Sequence, residues 1–217
     1  MKIRLVLRTS VVVSMLVILS GFLYAEEMQP IALSAPQTQG GKPLMQALKE
    51  RKSIREFSAR ELPLQVLSDL LWAANGINRP ESGMRTAPTA KNLQEIDIYM
   101  ARADGLYLYN AQGNQLELVL AGDIRGLTGS QPFVKDAPIN LIFVADYAKM
   151  GQMDEKTKDI YAATDTGYIS QNVYLYCASS GLATVVRGWV DRTALAKVMQ
   201  LRPEQRIVLA QTVGYPK

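Results

Sequence analysis

The chain has to bury one strand on both of its faces. After Pro138 it reads INLIFVA over residues 139–145, apolar at every position except Asn140. A half-exposed strand alternates apolar and polar residues, whereas a run with little alternation belongs at the centre of a sheet covered on both sides. Residues 207–213 read as a second buried strand, and residues 183–186 are short and β-prone.

Around this centre the apolar period changes several times. Ile96, Ile98 and Met100 predict a strand. Residues 106–109 and 116–120 flank Asn110-Ala-Gln-Gly113-Asn114, a hairpin signal. Leu67, Leu70, Leu71 and Ala74 are spaced for one face of a helix, with Pro63 suited to its first turn and Asn75-Gly76 to its end. A short helix is expected after Pro43, through Leu44, Leu48 and Arg51. A long one is expected over residues 156–180 with Gly181 as its cap, and another runs from Asp191 or Thr193 through Met199. Residues 76–92 read as a long polar loop, and loops of that length in compact domains tend to carry function. This order does not alternate as a doubly wound sheet would. It predicts an α+β fold, a mostly antiparallel central sheet packed by helices.

Residues 1–25 stand apart and are expected to be a signal peptide. Lys2, Arg4 and Arg8 make a basic start, residues 9–25 carry no charge, and Glu26-Glu27 follows the small residue Ala25. The alternative is an uncleaved membrane anchor, although the apolar stretch is at the short end of the roughly 17–25 residues a span needs. The expected location is therefore exported, periplasmic or secreted, with membrane attachment only if the segment is retained. Residues 26–42 are polar and turn-rich and read as a linker, which leaves residues 43–217 as one domain. Without residues 1–25 the chain loses three of its 24 basic residues and none of its 20 acidic ones. A nearly neutral domain offers no general basic surface to nucleic acid.

The chain has one cysteine, Cys177, and no histidine. A single Cys cannot build a disulfide framework. Without His there is no Ser-His or Cys-His pair, and the commonest metal ligand is missing. No metal site and no catalytic side chain are assigned, so the chemistry falls to a bound cofactor or to other side chains. Cys177, in helical spacing with Val173 and Tyr174, reads as a small core residue. Tyr168, Tyr174 and Tyr176 read as packing residues.

Four segments could form a site. Residues 51–57, RKSIREF, hold Arg51, Lys52, Ser53 and Arg55, a donor set suited to a phosphate dianion; alone, they read sooner as a solvated charged turn. Residues 86–94 place Pro88, Thr89, Ala90 and Asn92 where small and amide-bearing residues let backbone approach a flat ring. Arg187-Gly188 sets a cation beside an exposed backbone turn, an arrangement that can stabilise negative charge on a reduced ring. Lys217, after Gly214, could reach a phosphate.

Together these segments resemble the nitroreductase family of FMN-dependent reductases and dehydrogenases. The family's Arg-x-Ser-x-Arg-x-Phe-like opening is matched by Arg51, Ser53, Arg55 and Phe57. Its Pro-Ser-x-x-Asn-x-Gln-like loop is matched by Pro88, Thr89, Asn92 and Gln94. Its Gly-Leu…Gly segment is matched by Gly181, Leu182 and Gly188, and its closing Gly-x-Pro by Gly214 and Pro216. Residues 105–125, with Leu-Tyr-Leu-Tyr before the turn, are most similar to the azoline-oxidase branch, but no catalytic Lys-Tyr pair is assigned and that branch's activity is not carried over. The resemblance implies an intertwined homodimer with FMN at the interface. Arg51, Lys52, Ser53, Arg55 and Lys217 would hold the phosphate and ribityl chain. Pro88, Thr89, Ala90 and Asn92 of the second subunit would pack on the ring, with Arg187 and Gly188 near its polar edge. Hydride would pass through the flavin from NADH, NADPH or the substrate to a small-molecule acceptor. The alternative is an exported, non-catalytic flavin-binding or scaffold protein that keeps the fold. Two positions depart from the family pattern: Glu95 follows Gln94 where many members have Pro-Trp, and Arg187 precedes Gly188 where many have Glu.

Overall fold

The computed structural model describes residues 29–217, so the expected signal peptide lies outside the described residues. The elements in chain order are β1 (Ile31–Ala32), α1 (Leu44–Glu50), α2 (Leu64–Asn75), β2 (Ile77–Arg79), β3 (Met84–Arg85), β4 (Ile96–Ala101), β5 (Gly105–Asn110), β6 (Gln115–Ala121), β7 (Ile139–Asp146), α3 (Glu155–Ser180), β8 (Ala183–Arg187), α4 (Arg192–Val198) and β9 (Gln205–Gly214). Seven strands form one sheet in the order β1-β6-β5-β4-β7-β9-β8. Each neighbouring pair is antiparallel. The fold is α+β, as the change of apolar period implies.

β7 runs between β4 and β9, and all eight of its residues are buried. Its side chains divide by parity, as the two-residue period of a strand requires. Ile139, Leu141, Phe143 and Ala145 join the cluster under α2 and α3, with Leu67, Leu70, Leu71, Ile169, Val173 and Cys177. Ile142 and Val144 join the cluster on the opposite face, with Val190, Leu195 and Met199. Helices thus cover both faces, which explains a run that is apolar except at Asn140.

α3 is 26 residues long, roughly 39 Å at 1.5 Å per residue. It starts where Asp154 accepts a hydrogen bond from the Thr157 amide and ends at Gly181. Gly181 has φ +70°, a left-handed conformation that a residue without a Cβ adopts at little cost. The buried stripe of α3 is not wholly apolar. Ala162, Ile169, Val173 and Cys177 alternate along it with Asp165, Thr166, Ser170 and Tyr174.

Three local expectations change. Residues 29–42, expected as a linker, are docked: β1 pairs with the edge strand β6, Leu33 enters the core, and the Ser34 carbonyl accepts from Asn114 Nδ2 at 2.9 Å. A sheet edge has unpaired backbone groups, and this short strand satisfies some of them. Residues 76–92, expected as a loop, hold the β2–β3 ribbon and a 3-10 turn at Ala90–Asn92. α1 was expected to run through Arg51 but ends at Glu50. Only Ala47 is buried, and Leu44, Met45 and Leu48 are exposed. α4 is capped by Asp191, one of the two candidates. Among the described residues no helix is long and apolar enough to cross a membrane.

Phe143 has no exposed surface. Phe143→Ala should lower stability by roughly 3–5 kcal/mol, read from urea denaturation. Cys177 is buried, and burial pushes its thiol pKa up. It should resist a disulfide-exchange reagent in the native protein at about pH 8 and react once the chain is unfolded.

Candidate functional site

Residues 51–57 leave α1 where the backbone turns extended at Arg51. They run beside the ends of β8 and β9. The Ile54 amide donates to the Thr184 carbonyl at 3.0 Å, Ser58 to the Tyr215 carbonyl at 2.9 Å, and Lys217 to the Glu56 carbonyl at 3.4 Å. Phe57 forms an isolated bridge with Pro216 and stacks at a tilt on Phe133, centroids 5.5 Å apart. Lys217 is therefore brought to the same segment as Arg51, Lys52, Ser53 and Arg55.

Tyr174 of α3 fixes this segment from beneath. Its hydroxyl lies 2.7 Å from Ser53 Oγ and accepts from the Val186 amide at 3.0 Å, and the Arg51 guanidinium sits 5.2 Å from the ring centroid. Tyr174 is more than a packing residue, because its hydroxyl joins three parts of the fold. Lys52, Ser53 and Arg55 are exposed and Arg51 is partly buried. Among the described residues none of the three cations has a carboxylate within ion-pair distance. Three like charges within five residues repel each other, so an anion placed among them lowers the energy of all three.

The second segment is pinned elsewhere on α3. The Ala90 amide donates to Asp165 Oδ2 at 2.9 Å. Thr89 Oγ1 donates to Glu95 Oε2 at 3.2 Å and accepts from the Gln94 amide at 3.1 Å. Gln94 accepts from Arg85 Nε at 2.9 Å and donates to Asn92 Oδ1 and the Gly83 carbonyl, tying the loop to the β2–β3 ribbon. Lys91, Asn92 and Gln94 have φ of 54°, 56° and 48°. Left-handed backbone costs a non-glycine residue on the order of 1 kcal/mol or more and persists only where surrounding bonds enforce it. Pro88 and Asn92 are exposed, and Thr89 and Ala90 are partly so.

Within one chain the two segments do not meet. One docks on Asp165 and the other on Tyr174, nine residues apart on α3 and so roughly 13 Å along the helix. A cavity of about 940 Å³ lies between Phe57, Leu62, Arg102, Arg125, Lys135 and Lys217; of the expected residues, only Lys217 lines it.

Arg187 requires a correction. It was expected at the polar edge of a bound ring, but its side chain is only 4% exposed. It donates to Thr212 Oγ1 at 3.0 Å, the Thr128 carbonyl at 2.8 Å and Asn140 Oδ1 at 3.0 Å. All three acceptors are neutral, and burial pulls the guanidinium pKa down to about 10. The side chain is committed to the interior. Gly188 is exposed, and a Cβ built there would meet only Leu209 Cδ2 at 3.7 Å. Packing within the chain does not account for a glycine at this position.

Sequence reasoning missed Asp165, Glu95 and the hydroxyl role of Tyr174. A carboxylate inside the helical stripe that holds Ala162, Ile169 and Val173 was the available signal for Asp165. Glu95 stood out only as a departure from the family loop.

Arg187→Met should remove the donor from Thr212 Oγ1 and the Thr128 carbonyl, while Asn140 Oδ1 keeps Thr212, and cost roughly 2–6 kcal/mol, since each buried unsatisfied group costs about 1–3 kcal/mol. Chemical denaturation reads this, and a loss under 1 kcal/mol, roughly one weak hydrogen bond, would show that the network matters little.

The profile of the Nitroreductase family matches residues 48–215. A protein of Methanocaldococcus jannaschii described as a nitroreductase is 30% identical over 169 residues, covering 73% of this chain and 85% of that protein. A crystal structure from Ralstonia eutropha JMP134, also described as a nitroreductase, superposes with a TM-score of 0.84 at 44% identity, covering 88% of this chain and 91% of that one. A structure from Desulfovibrio desulfuricans in complex with FMN shares the fold, with a TM-score of 0.58 at 21% identity over 82% of this chain and 88% of that one. With both loops and the antiparallel sheet in place, the chain belongs to the nitroreductase family, a family of flavin-dependent oxidoreductases.

Proposed function

We propose that the protein is an FMN-dependent oxidoreductase that acts as a homodimer on a small organic substrate. The observation that carries this reading is the cluster Arg51, Lys52 and Arg55, without a carboxylate partner among the described residues, on the fold of this family. Bound FMN supplies hydride transfer, with electrons drawn from NADH, NADPH or the substrate itself and passed to a nitro, quinone or similar acceptor. The protein's task is to bind, orient and exclude water.

Arg51, Lys52, Ser53, Arg55 and Lys217 fit a phosphate and its sugar-alcohol chain, because each charge-assisted hydrogen bond contributes roughly 1.5–3 kcal/mol. Tyr174 holds Ser53 and Arg51 in register for that task. Pro88, Thr89, Ala90 and Asn92 come from the second subunit, which resolves the separation of the two segments along α3. Gly188 leaves room for a ring close to backbone. Arg187 acts from inside, by fixing the end of β8 that precedes Gly188.

Support for the homodimer comes from surface that one chain leaves uncovered. Ile160, Ala163, Thr164, Gly167, Tyr168 and Gln171 form an exposed stripe along α3 at helical spacing, and Leu44, Met45 and Leu48 of α1 are exposed. Gly167 has no neighbour within 4 Å of a built Cβ, so another helix can approach there. Export of the protein is proposed on the pattern of residues 1–25 alone.

The inward turn of Arg187 favours a second reading, in which the exported fold serves as a scaffold that no longer needs its flavin. The visible spectrum of the purified protein separates the two. A flavin band that survives gel filtration supports the enzyme. A colourless protein that gains no thermal stability from FMN supports the scaffold, since a ligand at about a hundred times its Kd should add roughly 2.7 kcal/mol. Arg55→Ala should weaken FMN retention by about tenfold or more while leaving the melting temperature of the apoprotein unchanged, as loss of one charge-assisted bond predicts. Unchanged flavin content in that variant would overturn the phosphate assignment.

A further inference from the structure

The loop at residues 88–94 is left-handed at three non-glycine positions and hangs from two buried carboxyl groups. Glu95 has no exposed surface and Asp165 is 2% exposed. Each accepts one hydrogen bond from the loop, Glu95 Oε2 from Thr89 and Asp165 Oδ2 from the Ala90 amide. The two donors belong to adjacent residues, so the carboxyl groups are held side by side under the loop. Among the described residues Glu95 Oε1 is buried without a hydrogen-bond partner.

Among the described residues no cation forms an ion pair with either group. Among the charged groups nearby, Asp97 of β4 pairs with Lys149, Asp146 of β7 with Arg202, and Arg85 of β3 bonds Gln94 and the Asn75 carbonyl. On α3, Asp159 accepts from Tyr147, and Lys158 donates to the Tyr147 carbonyl. Lys91 in the loop is exposed. Two ionised carboxylates side by side, both out of water and without a cation, are strongly unfavourable, and one shared proton removes the repulsion and satisfies the orphaned oxygen.

We propose that Glu95 and Asp165 share one proton and that this acid–carboxylate pair positions the 88–94 loop. Burial, then the charge of Asp165, holds the Glu95 pKa above the ordinary glutamate range. The proton therefore stays bound where a free glutamate has lost it. A carboxyl pKa raised by folding contributes stability that is complete at low pH and is lost as pH rises through the folded-state value. The loop is thus held at low pH and released as pH rises through that value, which lies above the ordinary glutamate range. Glu95→Gln replaces the shared proton with an amide N–H that does not titrate, and the latch becomes independent of pH.

Amide hydrogen exchange, corrected for the intrinsic effect of pH, tests this on the whole protein. Across a series from about pH 4 to about pH 9, protection at Ala90 and Gln94 should fall by roughly tenfold or more in the wild type, stay level in Glu95→Gln, and stay level at Ile142 in both, since one pKa unit is a tenfold change in protonation. An equal fall in the Gln variant, or no fall in the wild type, overturns the proposal. If Glu95→Gln does not fold, the wild-type profile decides, together with Asp165→Asn, which should also be level. The consequence for the cofactor rests on the proposed function: FMN affinity should weaken over the same pH range in the wild type and not in Glu95→Gln. Absence of FMN binding at every pH counts against that function and leaves the exchange result standing.

Discussion

Both segments of the candidate site are anchored by polar side chains that interrupt the buried stripe of α3. Val173, Ile169 and Cys177 hold the helix to the sheet by burying apolar surface. Tyr174 and Asp165 are carried inward by the same rotation, and a buried polar group needs a partner. The partners are Ser53 and Val186 for Tyr174, and Ala90 for Asp165. Core packing therefore fixes where the loops lie. A shift of α3 by a fraction of a turn would misplace both at once.

The opposite face of the sheet has its own polar centre. Asn140 is the one polar residue in the run that marks β7, and it accepts from both Arg187 and Thr212. Together they hold the turn around Thr128 to the sheet. A methyl group at Gly129 would fall 1.9 Å from the Arg187 guanidinium, so glycine is required there by space. The cation is buried against dipoles rather than charge, which explains both its lowered pKa and its inability to serve a ligand outside.

Much of the fold was legible because periodicity survives in the sequence. β7, α2 and α3 were each marked by a two-sided apolar run or a 3.6-residue stripe. β1 was not, because a two-residue edge strand has no period and depends on β6 for its existence. At the site, the charges of residues 51–57 were visible, but their attachment to Tyr174 was not, since it depends on contacts more than a hundred residues away. Arg187 was misread through its neighbour Gly188. One strand residue points in while the next opens outward, and adjacency in sequence does not tell which way the guanidinium faces.

The clasp between residues 54–58 and residues 184, 215 and 217 has a kinetic consequence. The cationic segment precedes almost the whole sheet in the chain, yet its backbone bonds are made to β8 and to residues beyond β9. Closing such a long loop is entropically costly and comes late in folding. During synthesis the domain can build α2, the hairpin and much of α3 before these partners leave the ribosome. Lys217 is therefore brought to Arg51, Lys52 and Arg55 only when the final strand pairs.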